Sequence, residues 1–132
     1  MDPQRVIRSI LASARKDWEV AQSLFKLKHY AHSLFLCHLV LEKVLKAIVL
    51  KRTNELAPQI HDLRRLAEKA GLNFTAEQGK ELDIISTFNI RARYDDTKRT
   101  FYQKGTQAYA TKYLKVIEEL YTWLLNELRS RR

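Results

Sequence analysis

The chain has 132 residues, of which 45% are hydrophobic and 30% charged, with only three Gly and two Pro. This length allows one domain with a proper core, and the scarcity of turn residues argues against a β-protein, so we predict a single all-α domain over residues 1–132. The formal charge of +9 favours a polyanionic partner such as a nucleotide, RNA or an acidic protein surface, while so few glycines exclude a phosphate-binding P-loop.

The first predicted helix begins at Asp2 and Pro3, which are typical of an N-cap and a first helical position. Apolar residues then recur at spacings of three and four as far as about Leu27. The remaining surface of this helix is basic, and we favour a solvated face over a phosphate-binding face. His29 and His32 follow at a tight break. Because no third ligand stands at a recognisable spacing, we interpret them as hinge residues and predict no metal site.

The stretch from Tyr30 to Lys51 predicts a second helix, and the rest of the chain is arranged around it. The short break before it makes the first two helices antiparallel neighbours. One side of this helix is continuously apolar and can face a core. The other side must face either a partner or a polar pocket, because it mixes charged with apolar residues: His38, Glu42, Lys43 and Lys46 alternate with Phe35, Leu39, Val49 and Leu50.

Two features indicate a cytoplasmic protein. Cys37 is the only cysteine and cannot form an internal disulfide, which fits a reducing compartment. Its apolar surroundings favour an inert core thiol over a catalytic one. The chain begins without the pattern of a signal peptide, and Glu42, Lys43 and Lys46 interrupt the best candidate for a membrane span.

Three further helices are predicted in the second half of the chain. A short one follows the connection around Pro58 and ends at Gly71, which fits a left-handed C-cap. Residues 75–78 have the form of a capping box, so a longer helix starts there and fades after Ile90. Residues 91–105 show no helical period, and from Thr106 a last amphipathic helix begins. The predicted architecture is therefore an up-and-down bundle of four long helices and one short helix.

Two groups of residues carry the candidate chemistry. Glu42 and Lys46 stand in the favourable order for an ion pair within a helix, and His38 extends them into a polar line. We favour structural pairing over an anion pocket or a partner contact, because such a line is costly to bury unpaired. Arg91, Arg93 and Tyr94 form the second group, and two interpretations are open. In the first, the arginines hold a phosphate and the tyrosine stacks on a base. In the second, Arg93 and Tyr94 stabilise the end of the bundle, for example through an ion pair between Arg93 and Glu42.

These elements together resemble one known family. The run from Ala31 to Ala47, AHSLFLCHLVLEKVLKA, is followed by HDL at His61 to Leu63 and by ARY at Ala92 to Tyr94. In order and spacing, this combination is similar to the HEPN domain family over nearly the whole chain. The resemblance implies a bundle of four to five helices that commonly dimerises. It also implies a minimal nucleotidyltransferase as a partner, in a pair of the toxin–antitoxin kind, and the binding of nucleotides.

Many members of that family are metal-independent ribonucleases that use an Arg followed after four to six residues by a His. The sequence departs from that signature, because Arg52 is too far upstream of His61 and no histidine follows Arg91 or Arg93. A catalytic pair of His61 and Arg93 across space is the remaining route to such an activity.

We therefore predict a dimeric, non-catalytic module that binds a nucleotide or other anion and needs no cofactor. A ribonuclease toxin with a non-standard active site is the alternative, and a structural dimer without a ligand is the third hypothesis. The predicted ligand-binding residues are Lys46, His61, Arg91, Arg93 and Tyr94. The predicted interface residues are His38, Leu39, Glu42, Lys43 and Lys46.

Overall fold

Within the part of the chain that the structure describes, five helices make up the regular structure and no strand occurs. The computed structural model describes residues 1–91 and 106–130, with side chains as far as residue 89 in the first range. The all-α prediction is confirmed. The division into four long helices and one short helix stays a prediction, since residues 92–105 lie outside the described ranges. The helices are α1 Pro3–Lys26, α2 Tyr30–Thr53, α3 Leu63–Lys69, α4 Ala76–Arg91 and α5 Gln107–Arg129.

The helix ends follow the capping pattern of the sequence. Asp2 accepts a hydrogen bond from the backbone N–H of Arg5, and Thr106 caps α5 in the same way. Before α4, the Gln78 side chain accepts from the Thr75 N–H while the Thr75 hydroxyl accepts from the Gln78 N–H, a complete capping box. Beyond α3, Gly71 has a φ of 69°, the left-handed conformation expected at that position. These boundaries are confirmed.

Helix α2 is the centre of the fold, because it packs against each of the other four helices. Its apolar side is buried as predicted, except for the half-buried Leu36, and its mixed side is also covered in large part by this chain. Val49 and Leu50 are buried there, as are the polar side chains of His38 and Glu42. Leu39 is half-buried on the same side. Much of the mixed side therefore faces the chain's own helices.

Helices α1 and α2 form a hairpin that polar side chains reinforce. Lys28 adopts a left-handed conformation with a φ of 66° in the turn between them. The buried hydroxyl of Ser33 donates to the Ala21 carbonyl at 2.7 Å. The Lys43 ammonium lies 2.6 Å from an Asp17 carboxylate oxygen on α1. The side chain of Lys43 therefore reaches across to α1 rather than standing free on the surface of α2.

The last turn of α2 holds the ends of two other helices. Lys51 donates to the backbone carbonyl of Leu128 in α5. Arg52 donates to the Ala70 carbonyl at the end of α3, at 3.0 Å, and pairs with the Glu127 carboxylate at 3.2 Å. These cations bind carbonyls that helix termini leave without partners inside the helix. Within the described part of the chain, no helix is long and apolar enough to cross a membrane.

Candidate functional site

A buried carboxylate, Glu42, organises the polar cluster on the mixed side of α2. One of its oxygens, Oε2, lies 3.0 Å from the Lys46 ammonium one turn later. The other, Oε1, lies 2.8 Å from Nδ1 of His61, and Nε2 of His38 lies 3.6 Å from the same oxygen. Three basic side chains from two parts of the chain therefore surround one carboxylate. We call Glu42, His38, Lys46 and His61 the Glu42 cluster.

The backbone around His61 is fixed from both sides. On the α2 side, Nε2 of His38 lies 3.1 Å from the His61 carbonyl oxygen. On the α3 side, the Asp62 carboxylate caps the helix by accepting from the Arg65 N–H. The Leu63 N–H donates to the Ser86 hydroxyl on α4 at 2.9 Å. The HDL segment therefore ties α2, α3 and α4 together, and it holds the His61 ring over Glu42.

The hydrogen bonds define which ring nitrogens carry protons. A carbonyl oxygen only accepts, so Nε2 of His38 is the protonated nitrogen that donates to the His61 carbonyl. An ionised carboxylate also only accepts, so His61 donates from Nδ1 to Glu42. Neutral His61 then presents Nε2 as a proton acceptor. Its side chain is 48% exposed, so the His61 ring is the most solvent-accessible member of the cluster.

The surroundings of Glu42 keep it ionised. Burial is the largest single influence and raises the pKa of its carboxyl, but the hydrogen bonds from His61 and Lys46, with the nearby charges of His38 and Lys46, outweigh it. The pKa of Glu42 therefore lies below its ordinary value. A carboxylate with only 9% of its side chain exposed is otherwise costly to keep charged. The first role of the cluster is therefore structural, because its basic side chains pair with a buried carboxylate.

The cluster shows no arrangement for a metal. Among the described residues, no group of three or more His, Cys, Asp or Glu side chains is placed to hold a metal ion. Within this cluster, Nδ1 of His61 and Nε2 of His38 are both used in hydrogen bonds. What remains accessible is an ammonium group and an imidazole nitrogen, which suit an anion or a proton transfer.

The structure brings some of the predicted site residues together. Lys46 and His61, both predicted to bind a ligand, bond to the same carboxylate. Arg93 and Tyr94 lie outside the described residues, as does the side chain of Arg91, whose backbone ends α4. The described partners of Glu42 are therefore Lys46 and the two histidines, and the predicted alternative of Arg93 paired to Glu42 stays a prediction.

The predicted interface residues divide by exposure. His38 and Glu42 are buried within the single chain, whereas Leu39, Lys43 and Lys46 are half-buried. The contribution of Ser86 was not predicted, because a serine on a helix gives no sign of which backbone group it will bond. The pairing of His61 with Glu42 was also missed. The only signal for it was that a buried acid needs partners beyond the lysine one turn away.

Comparisons with known proteins agree with this fold. The family model described as HEPN domain matches residues 7–128. The fold is similar to that of the protein TT1696 from Thermus thermophilus, with a TM-score of 0.76 and 22% sequence identity over 91% of this chain and 96% of that one. No curated protein matches the chain. Because this family match spans nearly the whole chain, including the Glu42 cluster, the chain belongs to the HEPN domain family.

Proposed function

We propose that this HEPN domain is a non-catalytic module that binds a nucleotide or a similar phosphate-bearing anion. The observation that carries the proposal is the placement of Lys46 and His61, which come from different parts of the chain and bond to one buried carboxylate. Glu42 fixes both side chains before any ligand arrives, so little conformational entropy is lost on binding. The ammonium group of Lys46 is a preorganised donor that suits the oxygens of a phosphate group, and the Nε2 acceptor of His61 suits a hydroxyl group of the sugar.

Charge and exposure support the same proposal. Lys46 has three N–H donors, and Glu42 takes one of them. With 20% of the Lys46 side chain and 48% of the His61 side chain exposed, both remain accessible to a ligand. The formal charge of +9 attracts anions from a distance. In this proposal Arg91, Arg93 and Tyr94 complete the site, with two guanidinium groups for phosphate and a ring that stacks on a base.

Calorimetric titration with ATP and GTP tests the ligand. We expect heat of binding from at least one nucleotide and a loss of about tenfold in affinity for Lys46→Ala, the effect of about one charge-assisted hydrogen bond. Arg93→Ala is expected to weaken binding in the same way. Lys16→Ala is the matched control, because it removes the same charge from an exposed position of α1. The absence of heat with every nucleotide would remove the proposed site.

We propose further that each molecule is a bundle of four long helices and one short helix, and that two molecules form a homodimer. This homodimer pairs with a minimal nucleotidyltransferase. Support for an interface comes from the half-buried positions of α2. Leu39, Lys43 and Lys46 are the predicted interface residues that a second molecule can reach, since His38 and Glu42 are buried. A half-buried aliphatic side chain with half-buried lysines on the same helix is a surface that another protein can cover. Co-expression with a minimal nucleotidyltransferase and co-purification through a tag on that enzyme tests the pairing.

One observation favours a metal-independent ribonuclease as the second candidate. His61 donates from Nδ1 to a buried carboxylate and presents Nε2, which is how a general base is oriented in many hydrolases. This candidate predicts cleavage of RNA in the presence of EDTA, abolished by His61→Ala and reduced by Glu42→Gln. If a preparation free of contaminating nucleases leaves RNA intact over a series of protein concentrations, the ribonuclease candidate is eliminated. The proposal of nucleotide binding is unaffected by that result.

A further inference from the structure

A separate groove lies where the first two turns of α1 meet the last turns of α2 and α5. Its volume is about 300 Å³, which is large enough for one or two apolar side chains. Ile7 and Leu128 supply its apolar lining, and both belong to or pack against the core. The remaining lining residues are Gln4, Arg8, Lys51 and Arg129. None of them belongs to the Glu42 cluster.

The charge around this groove has one sign. Arg8, Lys51 and Arg129 line it, each from a different helix, and no carboxylate is among the lining residues that belong to the described part of the chain. Lys51 already donates to the Leu128 carbonyl, but its ammonium has two further N–H groups. Within residues 1–91 and 106–130, the guanidinium groups of Arg8 and Arg129 make no hydrogen bond or ion pair. Two guanidinium groups and part of an ammonium are thus available beside an apolar surface.

Helix dipoles do not reverse this charge. The groove lies beside the negative ends of α2 and α5, which by themselves disfavour an anion. Lys51 on the Leu128 carbonyl places one positive charge at the end of α5, whereas Arg52 and the Glu127 carboxylate neutralise each other. The first turn of α1 contributes the positive end of its own dipole. The balance around the apolar lining therefore stays positive.

From this combination we propose that the groove is a docking site for an acidic peptide segment of a partner protein, which inserts an apolar side chain between flanking carboxylates. The apolar floor supplies the anchor, and the three cations supply the charge complementarity that sets orientation and partner choice. A simple phosphate ligand would leave the apolar lining of the groove unused. An uncharged apolar ligand would leave the three cations without a charged partner. A peptide with both features uses the whole groove.

Fluorescence polarisation with a labelled hexapeptide, EDLFDE, on the full chain tests the proposal. We expect saturable binding at physiological salt, while QNLFNQ and EDSSDE, which lack the acids or the apolar pair, bind at least about fivefold more weakly. Arg8→Glu and Arg129→Glu are expected to weaken EDLFDE roughly fivefold or more. Both positions are exposed, so these variants are expected to fold.

Lys16→Glu is the matched control, since it makes the same type of charge reversal on α1 at an exposed position about 12 Å further along the helix axis. Equal weakening by Lys16→Glu and Arg8→Glu would overturn the proposal, because attraction by net charge would then explain binding. Tight binding of EDSSDE or of an oligonucleotide, lost in Arg8→Glu, would overturn it in favour of a simple anion site. Tighter binding of decanoate than of EDLFDE would assign the groove to a lipid.

Discussion

Replacing Glu42 by Gln keeps the size of the side chain and removes its charge, so it tests what holds the Glu42 cluster together. In the native protein Lys46 and His61 donate to separate oxygens of this carboxylate, at 3.0 Å and 2.8 Å. A Gln side chain has one amide oxygen, so it can accept from only one of the two. The variant therefore loses one charge-assisted hydrogen bond and weakens the other.

The expected loss of stability follows from the one hydrogen bond that is lost and the one that is weakened. A hydrogen bond to a charged group contributes about 1.5–3 kcal/mol, and solvent near Lys46 and His61 reduces this, so we expect a loss of about 1–2 kcal/mol in the free energy of unfolding. For a chain of this size that corresponds to a lower Tm by about 3–8 °C. Thermal unfolding followed by circular dichroism measures it. Glu42→Gln as stable as the native protein at pH 7 would refute the reasoning.

The stability difference between the native protein and Glu42→Gln is also expected to depend on pH, which tests the role of the charge independently. Folding lowers the pKa of Glu42, so its contribution is present above the unfolded value, near 4.5, and is lost as the pH falls through the folded value. The difference between native protein and Glu42→Gln is therefore full at pH 7 and shrinks below pH 4.5. His38, Lys46 and His61 face the side chain at position 42 in both proteins. A difference that stays constant with pH would show that the charge of Glu42 is not its cause.

Glu81 provides the control with the opposite sign. Burial, followed by the charges of Glu77 and Glu119, raises the pKa of Glu81 above its ordinary value. Its ionised form is therefore disfavoured in the folded protein. We expect Glu81→Gln to leave the stability at pH 7 unchanged or slightly higher, by about 0.5 kcal/mol or less. A loss equal to that of Glu42→Gln would mean that any Glu-to-Gln change lowers stability here.

Three further predictions concern other parts of the molecule. Arg52→Ala removes hydrogen bonds to the Ala70 carbonyl and the Glu127 carboxylate, so the Tm is expected to fall by an amount equivalent to about 1–3 kcal/mol. An unchanged Tm would contradict the role of Arg52 in holding the ends of α3 and α5. Burial raises the pKa of the Cys37 thiol, so it is expected to react with a thiol reagent only on unfolding, and rapid reaction in the native state would contradict its burial. Leu39→Glu is expected to shift sedimentation from dimer to monomer, and an intact dimer would place the interface elsewhere.

The helical framework could be predicted from the sequence because its signals are local. Asp2, the Thr75–Gln78 capping box, Gly71 and Thr106 each act within a few residues of their position, and each lies where the pattern placed it. The central position of α2 followed from the same kind of argument, since a helix with apolar residues nearly all round has to be covered.

The candidate site could be predicted only in part, because its geometry depends on contacts between distant positions. The helical spacing of Glu42 and Lys46 predicted their pairing, which the structure contains. The bond from His61 to Glu42 spans 19 residues and depends on how α3 packs, and the bond from Leu63 to Ser86 depends on α4. Lys43 was grouped with the interface from its position on α2, yet its side chain extends to Asp17 on α1.

Nitrogen NMR of the His61 ring tests the central claim most directly, namely that Glu42 holds this ring ready for a ligand. The His61 signals are assigned by their absence in His61→Gln. At neutral pH we predict a ring protonated on Nδ1, with the Nε2 signal shifting as ATP is added. A ring protonated on Nε2, with signals that stay fixed throughout the ATP titration, would contradict the account.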